Sequence, residues 1–354
     1  MKTKKHVGLY ILLALFFIIL YIFLAAKPLG KEYHFTPEWK KSILTPSVSQ
    51  TVYDKHPIYF KLGQTIGYFT PEGQITTSKT FTSKASISSD YFAIYDTLDQ
   101  QTAFFDYTGT EKGIFEVPGY PFFEEDRIFV FMPGGSSFAK CNSDGSLQWT
   151  FENIIPITAF SSKSAYTAAG YADGTIRILD NITGAEKTSF SPGGSDYKVI
   201  LGLDVSSDGA YIASVSGHDK QRFVITRADG LQPKIIHHEY LDSDLNRRTV
   251  VRFCDNDKQI IYNYDGYIGI YNIENGKNTN FKIDKTVILI EETDSIFFIL
   301  AKKDNEYTVY IIEKTQTLEG SFSFQAEAAF IKTDGNDLYV GQDNTISKVK
   351  VSKN

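Results

Sequence analysis

Cysteine is nearly missing from this chain: Cys141 and Cys254 are the two among 354 residues. They stand far apart in sequence, which argues against a disulfide framework or a cysteine-built zinc site. Each is expected to be a free, buried thiol, because an unpaired cysteine packs like a small apolar side chain. Positive charge is not in surplus either. Lys and Arg number 36 against 42 Asp and Glu, a formal net charge of -6, whereas a nucleic-acid binder needs a basic stripe facing phosphates. Tryptophan occurs twice, at Trp39 and Trp149, and histidine six times. No Ser/His/Asp or Cys/His arrangement for nucleophilic catalysis is visible. Beyond about Val48 there is no long helical pattern.

Aromatic side chains are plentiful, with 22 Tyr and 27 Phe, and flat rings pack well on a pleated surface. One long apolar run is present. Residues 7–26, VGLYILLALFFIILYIFLAA, are 20 residues without a charge. At about 1.5 Å per residue a helix of that length spans a hydrocarbon core of about 30 Å. Lys2, Lys4 and Lys5 lie on the short leading side and hold that end in the cytoplasm. A cleaved signal peptide would have an apolar core of about 7–15 residues, and exit at Ala25-Ala26 would put Leu24 where a small residue is wanted. No cysteine follows the run for lipoprotein processing. The expectation is a single-pass signal anchor in the cell (inner) membrane. Residues 1–6 are then cytoplasmic, 7–26 transmembrane, 27–46 a linker broken by Pro28, Pro37 and Pro46, and 47–354 an extracytoplasmic domain.

That domain repeats a hairpin. Ile176-Arg177-Ile178-Leu179 follows the turn Asp173-Gly174, and Ile268-Gly269-Ile270-Tyr271 follows Asp265-Gly266. Turns between a third and an outer strand centre on Gly73, Gly109, Gly145, Gly184, Gly230 and Gly276, spaced by about 40 residues, with a weaker copy near Gln316. Inner hairpins are read at 203–214, 253–261 and 330–339, each with Gly, Asn or Asp at a turn that takes positive φ. Small antiparallel sheets repeated at this spacing must stack to bury their faces, which gives an all-β propeller. Eight third-strand candidates, ending with 345–351, favour eight four-stranded blades, or seven if the first unit is partial. The last unit lacks an outer strand. The segment 33–52 is expected to supply it and close the ring, which removes exposed edges.

Two stretches carry a family resemblance. Ser206, Asp208, Gly209, Ile212 and Ala213 resemble the inner hairpin of bacterial WD40-like repeats. Asp144-Gly145-Ser146-Leu147-Gln148-Trp149 resembles the Asp-Gly-x-x-x-Trp turn of quinoprotein-like (PQQ-repeat, BamB-like) propellers. The Trp-Asp signature is absent, with Leu179-Asp180 and Tyr271-Asn272 in its place. The resemblance implies a propeller and does not by itself imply a function. A quinone-dependent dehydrogenase would need a floor tryptophan and calcium-binding carboxylates. Trp39 falls in the linker and Trp149 reads as a blade-packing residue, so no cofactor is expected.

His237-His238-Glu239 is the one cluster of metal-ligand types, but neighbours on a strand point to opposite faces, and zinc wants convergent ligands. Asp242-Ser243-Asp244-Leu245-Asn246 begins like a calcium loop, yet Arg247 stands where glycine is needed and Phe253 where a bidentate glutamate is needed. No metal is expected. Glu124-Glu125 and Glu291-Glu292 read as solvated pairs in turns. The segment 237–248 is long, carries both signs of charge and joins rigid strands. It is therefore the candidate partner-contact loop, through His237, His238, Glu239, Asp242, Asp244, Arg247 and Arg248. The reading is a membrane-anchored, non-enzymatic platform for a protein of the cell envelope. The alternative is a small-ligand sensor or enzyme using the central channel, which would require polar groups converging there around a ligand-sized pocket.

Overall fold

The computed structural model describes residues 4–25, 33–44, 56–96, 101–230 and 232–353; side chains of the first helix are described from Gly8 to Ile22. The chain folds into eight antiparallel sheets arranged as the blades of a propeller. Blades 2 to 7 span 84–114, 120–151, 157–190, 200–240, 251–282 and 286–325, each with four strands in sequence order. Blade 1, 58–80, has three described strands. The blade count is eight.

The alternation that identified the strands is the alternation of burial. In the third strand of blade 4, Ile176–Asp180, Ile176 and Ile178 are buried, while Arg177 between them is not. The first strand of blade 5, Ile200–Val205, lies between its neighbours and buries every residue. The expected positive-φ turns are present, including three successive non-glycine residues at Asp255, Asn256 and Asp257 (φ 54, 52 and 64). Turns at Gly73, Gly109, Gly145, Gly184, Gly230 and Gly276 each lead into the last strand of their sheet, as expected.

Blades are held face to face by aromatic layers. Between blades 5 and 6, Phe223 and Tyr262 stack at 3.8 Å with 5° between their planes. Between blades 3 and 4, Phe129, Phe138 and Trp149 surround Phe160. Each such buried side chain contributes about 1.5–3 kcal/mol. Trp149 also donates its indole N–H to Asn181 O at 3.0 Å and lies over Gly184. A Cβ on Gly184, whose φ is +72°, would meet the indole at 2.7 Å.

Closure comes from the segment read as linker. Tyr33–Ser42 is the outer strand of blade 8, paired antiparallel with Thr345–Lys353 from Tyr33↔Lys353 to Ser42↔Thr345. The register shifts between Pro37 and Trp39, where proline has no N–H to give the ladder. The propeller therefore starts at Tyr33. Trp39 is a rim residue, packed against Phe69 and Tyr339 and donating to Pro71 O at 3.2 Å. Segments 27–32 and 45–55 lie outside the described residues.

The helix Lys4–Ala25 precedes the propeller, and its described side chains are exposed. Among the described residues no helix is long and apolar enough to cross a membrane. The apolar run 7–26 extends at both ends past Gly8 to Ile22, the residues whose side chains are described.

Candidate functional site

Strand alternation sets what faces the channel. First strands run from the face bearing the blade-to-blade connections to the face bearing the first-to-second turns. In blade 6, Val251 and Phe253 pack into the core shared with blade 5, Val250 and Cys254 into the core shared with blade 7, and Arg252, on the blade 7 side, reaches the cavity. The same logic brings Glu124, Asp204, Glu291 and Lys332 inward from blades 3, 5, 7 and 8. Together they line a cavity of about 650 Å³. Lys163, Arg248, Tyr59, Ser161, Phe122 and Leu289 complete much of the wall. That volume is typical of small-molecule sites.

Most of its charges are committed to one another. Lys332 Nζ is 2.7 Å from Glu291 Oε1, donates to the Tyr59 hydroxyl at 2.9 Å and lies 4.2 Å from the Tyr59 ring centre. Burial alone would lower the Lys332 pKa, but Glu291 and Tyr59 outweigh it and hold it raised. Beside this pair, Glu292 and Asp255 share the Lys314 ammonium at 3.1 Å each. Asp204 ties three blades together. It accepts from Ser161 Oγ of blade 4, from the Val205 N–H of its own blade at 3.0 Å, and from the Phe253 N–H of blade 6 at 2.7 Å. Its pKa is raised by burial, against these donors. Glu124 accepts from the Ser162 N–H at 3.1 Å. Burial, with the Asp204 charge adding to it, pushes its pKa up to about 7.

The carboxylate pairs thus differ from the solvated turns expected of them. Glu124 ends the first strand of blade 3, and Glu291 and Glu292 end that of blade 7. Only Glu125 sits in a turn, exposed and 2.9 Å from Arg127. One member of each pair faces the axis. The signal available in sequence was position, the last inward-facing residue of a first strand, and it was hidden because the partners come from different blades.

The candidate contact segment divides. His237, His238 and Glu239 are not in a loop: they lie on the outer strand of blade 5, Lys234–Tyr240. His237 turns inward, 4.2 Å from the Tyr271 ring, and burial lowers its pKa. His238 turns outward beside Tyr240. The adjacent imidazoles take opposite sides, as the pleat requires. The connection that follows is fixed by Gln221, which accepts from Ser243 Oγ at 2.6 Å and donates to Leu245 O. Asp242 and Asp244 are exposed. Arg247 points into an open groove with Lys303 and Asp304, and Arg248 into the channel. Among the described residues no group of three His, Cys, Asp or Glu could hold a metal ion. Both thiols are buried; burial raises Cys141 to about 11 and Cys254 further.

An uncharacterized protein of Treponema pallidum (strain Nichols) is 25% identical over 365 residues, covering 99% of this chain and 96% of that protein. Solved structures share the fold at low identity. BamB from Moraxella catarrhalis superposes with a TM-score of 0.60 at 14% identity, covering 90% of this chain and all of BamB. The computationally designed Ika8 protein gives 0.65 at 16% identity, covering 84% of this chain and 94% of that one. A chain of the Mitotic Checkpoint Complex gives 0.55 at 13% identity, covering 92% and 98%. The family model described as beta-propeller protein matches residues 1–354, and this chain belongs to the beta-propeller protein family.

Proposed function

We propose that this chain is a single-pass, membrane-anchored propeller whose extracytoplasmic ring binds another protein of the cell envelope, without catalysis of its own. The observation that carries the reading is the outer strand of blade 5, Lys234–Tyr240. It is the last strand of its sheet, and it exposes Ile235, Ile236 and Tyr240 by 39%, 43% and 57%. A free backbone edge flanked by apolar side chains is what an added partner strand pairs with. Likeness to BamB and to a chain of a multiprotein complex supports a binding role. The anchor rests on the uncharged run 7–26 and the lysines before it.

The test is crosslinking in intact cells followed by detergent extraction, affinity purification and mass spectrometry, with residues 1–46 alone as control. Recovery of a stoichiometric envelope protein with the full chain, lost with Ile236→Lys, would support the reading. Equal recovery from both baits, or from Ile236→Lys and the native chain, would sink it. A second reading, small-ligand binding in the channel, is favoured by the cavity and its converging charges.

A further inference from the structure

Arg252 is a cation of the channel wall without an ion pair among the described residues. It sits on the first strand of blade 6, half-buried, and reaches the cavity. Among the described residues its guanidinium makes one hydrogen bond, to Ile290 O, and no ion pair. It is close enough to Glu291, Glu292 and Asp204 to feel their charge. Each of these is engaged elsewhere: Glu291 with Lys332, Glu292 with Lys314, Asp204 with three donors. A guanidinium carries five N–H donors, and a partly desolvated cation without an anion is costly.

A second cation extends the feature. Arg248 also lines the cavity, exposed and with no ion pair among the described residues. Three residues lie between it and Arg252, a reach of at most about 13 Å in extended chain. Val250, Ile288 and Leu289 contribute apolar surface to the same cavity. Ile288 is 40% exposed, an open aliphatic surface beside unpaired positive charge.

We propose that the central channel binds a small organic anion, its acid group taken by the guanidinium of Arg252, with Arg248 guarding the mouth, and its aliphatic body lying on Val250, Ile288 and Leu289. Binding is independent of any partner docked on the rim of blade 5.

The test is calorimetric titration of the full chain in a neutral detergent with hexanoate, 1-hexanol and hexylamine, micelle blanks subtracted. The three share one body and differ in charge. The expected result is one saturable hexanoate site, at least about tenfold tighter than the alcohol or the amine, since a charge-assisted hydrogen bond is worth about 1.5–3 kcal/mol. Arg252→Gln should abolish that preference. Arg248→Gln, at an exposed position, should weaken hexanoate severalfold without changing the unfolding temperature. Equal affinity for the three compounds, no saturation by hexanoate below about 10 mM (a threshold corresponding to only a few kcal/mol of binding), or unchanged hexanoate binding by a folded Arg248→Gln would each overturn the proposal.

Discussion

Trp149 donates its indole N–H to the carbonyl oxygen of Asn181 at 3.0 Å, so the outer strand of blade 3 is pinned to the outer turn of blade 4. Trp39 makes the equivalent contact from blade 8 to blade 1, through Pro71 O. Both rings cover a positive-φ glycine, Gly184 and Gly73. The two tryptophans of the sequence share one task, locking neighbouring blades at the rim.

Truncating that lock should be expensive. Trp149→Ala removes a buried ring and leaves Asn181 O without this donor, an expected loss of about 3–5 kcal/mol. Gly184→Ala forces a methyl into the indole at a left-handed backbone position and should cost at least about 1 kcal/mol. Urea unfolding of the two variants against the native chain checks both; a loss below half a kcal/mol for Trp149→Ala would contradict the packing role.

Glu124 should make stability depend on pH near neutrality. Burial raises its folded pKa to about 7, from the 4.5 of a free glutamate, so the folded state holds a proton that the unfolded state releases. The associated stability is fully present below about pH 4.5 and lost as pH rises through about 7. The loss is on the order of 3 kcal/mol. Glu124→Gln, which can still accept from the Ser162 N–H, should flatten that slope. Parallel unfolding curves at pH 5 and pH 8 for both proteins decide it: an identical pH dependence in the variant would show that another group is responsible.

Removing the three-blade clamp should be felt beyond blade 5. Asp204→Ala strands the N–H of Phe253 and the hydroxyl of Ser161 in a dry site, each worth about 1–3 kcal/mol. Hydrogen exchange should then quicken in the first strands of blades 4, 5 and 6 together. Faster exchange confined to blade 5 would mean that the carboxylate does not couple its neighbours.

The thiols should be silent in the folded protein. Cys141 and Cys254 are buried and held above the usual thiol range, and the thiolate is the reactive form. Ellman's reagent at pH 8 should therefore register almost nothing until denaturant is added, then both groups. That silence permits a topology assay. Ile154→Cys, at a position 93% exposed, should be labelled by a membrane-impermeant maleimide from outside the cytoplasmic membrane. Labelling only after lysis would refute the extracytoplasmic placement of the ring.

The fold was legible because its signals are local. Alternation over residues such as 176–180 and glycines such as Gly184 and Gly276 report on a few neighbouring residues, and repetition of the pattern supplies the ring. Even the closing strand was readable from 33–52, because blade 8 visibly lacked one. The channel was not legible. Arg252, Glu291 and Lys332 belong to successive blades, and nothing local says which way each side chain turns or which carboxylate finds which cation. Glu291 beside Glu292 looks like solvated charge until the strand end places one toward the axis and the other toward Lys314. The start of the candidate loop differs for a related reason: His237, His238 and Glu239 belong to the strand Lys234–Tyr240, and polar letters on a rim strand read like a loop.

The pairing of Tyr33–Ser42 with Thr345–Lys353 sets a timing for biosynthesis. The first strand of the ring to leave the ribosome has no sheet to join until nearly the last strand has been made. Joining them closes a loop of about 300 residues, an entropic cost that grows only logarithmically with length but makes the step late. A chain interrupted before Thr345 therefore keeps an open arc with blade 8 unfinished at its edge. Ring completion is thus the last step of assembly, and in the interrupted chain the second strand of blade 8 is the exposed edge.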